Sequence, residues 1–163
     1  MNKLKNVTIY TDGACIENPG PGGYGVIIDD DGYKIELSGG FRRTTNNRME
    51  MMAAIVGVEV LKERCLVTVY SDSQYLVKAI SLGWAKRWQK NGWKRNKRDA
   101  ALNPDLWERL LKVCEAHNVE FRWIRGHSSH SENERCDQLA KEAAMRHDLP
   151  SDNCYESPPY RLF

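Results

Sequence analysis

The sequence predicts an α/β fold on a mixed five-stranded sheet, and three observations predict it. Five short runs read as strands from their β-branched and aromatic residues, and the first and third also alternate in polarity with period two. The first three follow one another with no helical segment between them, which makes an antiparallel meander. The last two are each reached through helical segments, so they run parallel to the first. The chain has 163 residues, 41% hydrophobic and 28% charged, the size and composition of one ordinary globular domain. A chain of that size buries about 70% of its unfolded surface and needs no staples.

The elements follow in order. Residues 7–11 (VTIYT) alternate and form the first strand. Residues 24–28 form the second and residues 33–38 the third. The turn Asp29-Asp30-Asp31-Gly32 between them marks a hairpin. Over residues 47–62 the period changes: Met49, Met52, Ala53, Val56 and Val60 fall on one helix face, and Glu50, three residues after Asn47, has a capping-box carboxylate as its purely structural alternative. Residues 66–71 form the fourth strand, and residues 74–80 and 84–90 read as helices. Asn103 before Pro104 signals the start of a helix to about residue 117. Residues 119–124 form the fifth strand. Ser131 and Glu134 match a capping box that opens a last helix through about residue 145. From Pro150 the composition shifts to Ser, Asp, Asn and Pro, which reads as a loose tail. The expected division is one folded domain over 1–148 and a flexible tail over 149–163.

Composition excludes several classes. No apolar run is long enough to span a bilayer, and no apolar segment follows the first lysines, so the protein is expected in the cytoplasm. The five cysteines are odd in number and none are spaced C-x-x-C, which argues for reduced thiols rather than a zinc or redox motif. Gly20-Pro-Gly22-Gly-Tyr-Gly25 matches G-x-G-x-x-G, but β-branched residues follow it where a dinucleotide site needs a helix, so it is read as a strand entry.

The net charge of +2 hides an asymmetry. Seven of the thirteen residues over 86–98 are Lys or Arg and none is acidic, while the remaining 17 basic and 22 acidic residues leave −5. A basic stretch on an acidic body points to a polyanion at one place. Trp84, Trp88 and Trp93 lie in or beside it; the first two are spaced to pack one helix face on the core.

The first and fourth strands end alike, in Ile9-Tyr-Thr-Asp12 and Val69-Tyr-Ser-Asp72. If those strands are neighbours, two carboxylates face each other at the carboxyl end of the sheet, where such sheets bind ligands. Close carboxylates repel unless one is protonated or a cation sits between them, and Mg²⁺ suits an all-oxygen site. Read singly, each Asp is equally a turn former or a cap, Asp137 a helix-dipole partner, and His127 an exposed loop residue.

Several motifs together resemble type 1 ribonuclease H in its stand-alone bacterial form. They are Thr11-Asp12-Gly13, Asn18-Pro-Gly-Pro-Gly-Gly-Tyr-Gly25, Thr44-Thr-Asn-Asn-Arg-Met-Glu-Met-Met-Ala53, Ser71-Asp-Ser-Gln74 and Gly126-His with Glu132-Asn-Glu-Arg-Cys-Asp137, in order over residues 4–146. The resemblance implies a ribonuclease H-like sheet with helices on both faces. It implies Asp12, Glu50, Asp72 and Asp137 as carboxylates for two Mg²⁺ ions, with Mn²⁺ as a substitute. It implies His127 as an auxiliary group in product release or proton shuttling. The substrate is then an RNA–DNA hybrid, cut in its RNA strand to 3′-hydroxyl and 5′-phosphate ends; the sequence leaves oligomeric state open, with a monomer as the default. Residues 86–98 match the basic protrusion that grips the DNA strand, so Lys86, Arg87, Lys90, Lys94, Arg95 and Lys97 are expected to bind it. Asn18, Asn46 and Gln74 would line the RNA side, Arg43, Thr45 and Asn103 would hold a DNA phosphate, and Trp84 would meet a deoxyribose.

Two rivals share parts of this pattern. A strand transferase of the same fold shares only the acid cluster, and a hybrid-binding module without activity would lack an acid. The end Tyr160-Arg-Leu-Phe163 resembles peptides that dock on bacterial sliding clamps, which implies a weak protein partner; a tail laid on the body is the alternative.

Overall fold

The computed structural model describes residues 3–126 and 130–158. The elements are β1 (Lys5–Cys15), β2 (Gly20–Asp30), β3 (Tyr33–Thr44), α1 (Asn46–Glu59), β4 (Cys65–Ser71), α2 (Gln74–Ser81), α3 (Trp84–Lys90), α4 (Pro104–Glu115), β5 (Asn118–Trp123), α5 (Ser131–Ala144) and α6 (Asn153–Glu156). The sheet order is β3-β2-β1-β4-β5, with β1–β2 and β2–β3 antiparallel and β1–β4 and β4–β5 parallel. The expected mixed sheet is therefore present, and β1 is its centre. Asp31 and Gly32 both adopt positive φ (51° and 89°) between β2 and β3, the two-residue turn suited to a twisted hairpin. The Gly32 amide donates to Asp29 Oδ1 at 2.8 Å.

The two faces of β1 and β2 are filled differently. Ile9 and Val26 point at α1, where Gly57 lets the helix approach. With Met49, Ile55, Val58, Val69, Leu76, Trp107 and Leu110 they form the main core. Tyr10, Ile27, Cys136 and Leu139 make a smaller cluster beneath α5 on the other face. The glycine-rich stretch belongs to β2, as a strand entry. A side chain on Gly23 or Gly25 would collide with the α5 backbone at Ala140 or Cys136. These glycines serve close helix–sheet packing, not a phosphate.

Four sequence expectations need correction. Helix α1 is not amphipathic: Met49, Met52 and Ala53 are buried as predicted, but so are Met51, Ala54, Ile55 and Val58, while Val60 is exposed. The helix lies between the sheet and α4, so apolar residues serve all round it. Its cap is Thr45, whose Oγ1 accepts from the Arg48 amide at 3.2 Å, not Asn47. Ser131 is inside α5, and the N-cap is His130 with no side-chain bond. The fourth correction concerns the tail: through Pro158 it is docked on the body. Asp152 is 6% exposed and accepts from Thr44 Oγ1 at 2.7 Å and from Arg48 Nε at 2.7 Å. The Arg42 amide donates to Pro150 O at 2.8 Å. The buried guanidinium of Arg48, on α1, supplies the anchor that composition alone does not show. Residues 159–163, and with them the clamp-like end, lie outside the described residues.

All five cysteines are unpaired, as their spacing suggests. Among the described residues no helix is long and apolar enough to cross a membrane.

Candidate active site

Parallel pairing of β1 with β4 sets Tyr10 beside Tyr70, so Asp12 and Asp72 follow at adjacent strand ends. Thr11 Oγ1 donates to Tyr70 O at 2.8 Å and ties the two ends together. Glu50 comes from the first turns of α1. Gly13 allows this: a Cβ there would stand 2.5 Å from the Glu50 nitrogen. Carboxylate oxygens of Asp12, Glu50 and Asp72 all lie within 4.8 Å of one another. Asp137, from α5 on the opposite face, lines the same cleft of ≈ 440 Å³.

The electrostatics of this group are unfavourable as they stand. Asp12 is 5% exposed and accepts the Gly13 amide at 2.9 Å. Its carboxyl is pushed up to about 7, first by burial and then by the charge of Asp72. Glu50 is raised well above its ordinary value, again by burial first and then by Asp12 and Asp72. Glu50 Oε2 is buried and no donor reaches it. Oxygen ligands held close, with an orphaned lone pair and raised proton affinity, fit a hard divalent cation. With Thr45 as the N-cap, the third helical position is Arg48, so Glu50 has no capping-box role.

The structure brings together all four predicted acids. Asn46 lines the same cleft, and its backbone amide donates to Asn18 Oδ1 at 3.2 Å. Gln74, the first residue of α2, is exposed close in sequence to Asp72, and Arg43 is exposed on β3. Gly126 lies against Asp72, a Cβ there standing 3.0 Å from Oδ2; His127, next in sequence, lies outside the described residues.

The basic stretch is α3 and the loop behind it. Lys86, Arg87, Lys90, Lys94, Arg95 and Lys97 are exposed, and Arg95 pairs with Asp99 at 3.4 Å. Trp88 is buried and stacks on Tyr75, while Trp84 lies half-buried, its ring centroid 6.5 Å from that of Trp88. Trp84, Arg87 and Arg95 line a groove of ≈ 590 Å³. Lys94, Thr45, Asn18 and Asn103 line a second, larger groove of ≈ 790 Å³. Asn103 precedes α4 as predicted, but its side chain makes no cap bond; Oδ1 accepts from Arg48 Nη1 at 3.3 Å instead.

Sequence reading misses four residues. Asn133 is 3% exposed at the cleft, with Oδ1 unpartnered. Lys141 pairs with Asp137 at 2.8 Å; its place one turn after Asp137 is the signal that could have found it. Arg48 and Asp152 form a buried ion pair, and nothing in their local sequence marks either.

Comparison with known proteins agrees with this geometry. Residues 4–145 match the family model for RNase H. The chain is 65% identical over 149 residues to "Ribonuclease H" of Desulforamulus reducens, covering 91% of this chain and 94% of that one. Among solved structures, LC9-RNase H1, a type 1 RNase H with the type 2 active-site motif, superposes with a TM-score of 0.77 at 31% identity, over 88% of this chain and 74% of the other. LC11-RNase H1 in complex with an RNA/DNA hybrid gives 0.63 at 25% identity, over 85% and 96%.

Proposed function

This chain belongs to the ribonuclease H family, as a type 1 ribonuclease H enzyme, and on that footing we propose that it cuts the RNA strand of RNA–DNA hybrids by a two-metal mechanism. The observation that carries the reading is the trio of carboxylates within 4.8 Å at the strand ends, one with an orphaned buried oxygen. Asp12, Glu50, Asp72 and Asp137 would hold two Mg²⁺ ions, with Mn²⁺ as a substitute. Bound there, the ions supply neutralisation of the phosphate's developing charge and a lowered pKa for the attacking water.

The reaction adds water across one phosphodiester. The water oxygen bonds to phosphorus, the bond from phosphorus to O3′ breaks, and O3′ takes a proton. The products are a 3′-hydroxyl and a 5′-phosphate. The residues around the acids determine which strand is cut. Asn18, Asn46 and Gln74 offer polar groups to 2′-hydroxyls, which only RNA presents in a shallow minor groove. Arg43, Thr45 and Asn103 offer donors to a phosphate of the DNA strand, and Trp84 an apolar face to its sugar. Lys86, Arg87, Lys90, Lys94, Arg95 and Lys97 supply sequence-independent attraction, so sequence preference is weak. His127 is assigned to proton shuttling or product release. All four acids come from one chain, so a monomer suffices.

The test is cleavage of a labelled hybrid with and without Mg²⁺, beside duplex RNA, duplex DNA and single-stranded RNA, with analysis of the product ends. Metal-dependent cutting of the hybrid RNA alone, with 5′-phosphate ends, is expected. Joining of strands would instead favour a transferase, and binding without cutting an inert module.

A further inference from the structure

We propose that the docked C-terminal segment takes part in substrate binding: Asp152, acting through Arg48, fixes the Asn103 amide so that its amino group faces the groove as a donor to a phosphate of the DNA strand. The proposal rests on the functional reading above and deepens it. Asp152 and Arg48 are positioning residues in it.

The geometry begins with Arg48, which is 3% exposed. A guanidinium has five N–H donors in a fixed plane. Nε and Nη2 donate to Asp152 at 2.7 and 2.9 Å. Nη1 and Nη2 donate to Asp105 at 2.9 and 2.7 Å. The fifth donor, on Nη1, goes to Asn103 Oδ1 at 3.3 Å. All five are used, so Arg48 itself has none left for a ligand. Its plane is set by two bidentate carboxylates, and the place of its last donor is set with it.

That donor decides which way the Asn103 amide faces. The oxygen turned to the guanidinium leaves the amino group on the other side; the flipped amide would set N–H against N–H. The Asn103 backbone is left-handed, with φ 60° and ψ 41°, a conformation Asn tolerates. Its side chain is free of the capping bond that Asn ordinarily makes before a helix. Burial raises the proton affinity of the Tyr75 hydroxyl, and hydrogen bonds from Trp107 and then from the neighbouring Asn103 amide lower it. An amino group has two hydrogens, so one remains for the groove. Thr45 and Lys94 line the same groove, and Cys154 and Tyr155 of the tail form another part of its wall. The tail thus touches the groove directly and also reaches it through Arg48.

The experiment uses Asp152→Asn, which keeps the size of the side chain and removes its charge. Thr44→Val removes only one bond to Asp152 and serves if the first variant does not fold. Steady-state cleavage of one hybrid, well below the melting temperature, should show KM raised about fivefold for Asp152→Asn and about twofold for Thr44→Val, with kcat within about twofold. Adding Asp152→Asn to Asn103→Ala should raise KM no further, because the two act on one contact. Unchanged KM, or effects that multiply independently in the double variant, would show a purely structural ion pair and overturn the proposal. Failure of the wild-type chain to cut any hybrid would overturn the underlying functional reading instead.

Discussion

Replacing Asp12 by Asn should stabilise the metal-free protein at pH 8, although it should abolish cleavage. Asp12 is 5% exposed, and its carboxyl is raised from 3.8 to about 7, by burial and then by Asp72. A carboxyl whose folded value is raised costs nothing below its unfolded value. The cost grows with pH through the interval and is complete above about 7. A shift of about three units at 1.36 kcal/mol each sets a ceiling of roughly 4 kcal/mol. The charge is shared with Glu50 and Asp72, so about half, roughly 2 kcal/mol, is the expected gain for one substitution. For a chain of this length each kcal/mol moves the melting temperature by about 2–4 °C, which gives about 4–8 °C. The amide oxygen can still accept the Gly13 N–H, so no bond is lost. Thermal unfolding in EDTA at pH 5 to 8 reads the effect: the two curves should diverge as pH rises. Mg²⁺ should then raise the wild-type curve more than that of the variant. Parallel curves from pH 5 to 8, or a variant less stable at pH 8, would refute the electrostatic account of the cluster.

Truncation after Asp148 removes a partner of Arg48 (3% exposed) and should cost about 3 kcal/mol, seen as a melting temperature lower by roughly 6–12 °C; unchanged melting would mean the tail contributes nothing, and a pull-down with replication proteins would then test the clamp-like end by itself. Gly25→Ala should destabilise by about 2 kcal/mol in chemical denaturation, because the new methyl group meets the Cys136 carbonyl. Neutralising Lys90, Lys94, Arg95 and Lys97 together should flatten the dependence of hybrid affinity on log salt by roughly three, with a smaller change in maximal rate; an equal slope would make these charges bystanders. His127→Ala should slow turnover yet leave it measurable on the same hybrid where Asp72→Asn leaves none.

The sheet and its helices were readable from the sequence because two periods are hard to confuse. Alternation marks the first and third strands, β-branched and aromatic residues mark the others, and the turn at Asp29–Gly32 marks the hairpin. The strand-end acids were visible as a matched pair but not as a site, since a lone Asp after a strand reads equally as a turn. Only the register of β1 with β4 brings Asp12 to Asp72. Glu50 read as a cap carboxylate because Asn47 stands three residues before it. Thr45 is the cap in place of Asn47, and Glu50 is left buried. Resemblance across several motifs points to the roles that spacing leaves open. Arg48 and Asp152 escaped both routes: a charged residue in an otherwise apolar helix looks solvent-facing, and its partner lies more than a hundred residues away in a polar stretch.

Cys136 and Asp137 are successive residues of α5 with opposite surroundings. The thiol is fully buried under the sheet, donating to Tyr10 O at 3.3 Å, and the carboxylate looks into the cleft. Burial holds the Cys136 thiol far above its ordinary proton affinity, so a labelling reagent finds almost no thiolate while α5 is seated. The helix cannot roll or lift without uncovering that sulfur. In a variant lacking the four other cysteines, the rate of covalent labelling at Cys136 would therefore time the local openings that carry the neighbouring acid out of place. The chain contains its own clock for the steadiness of its active site, readable before any substrate is added.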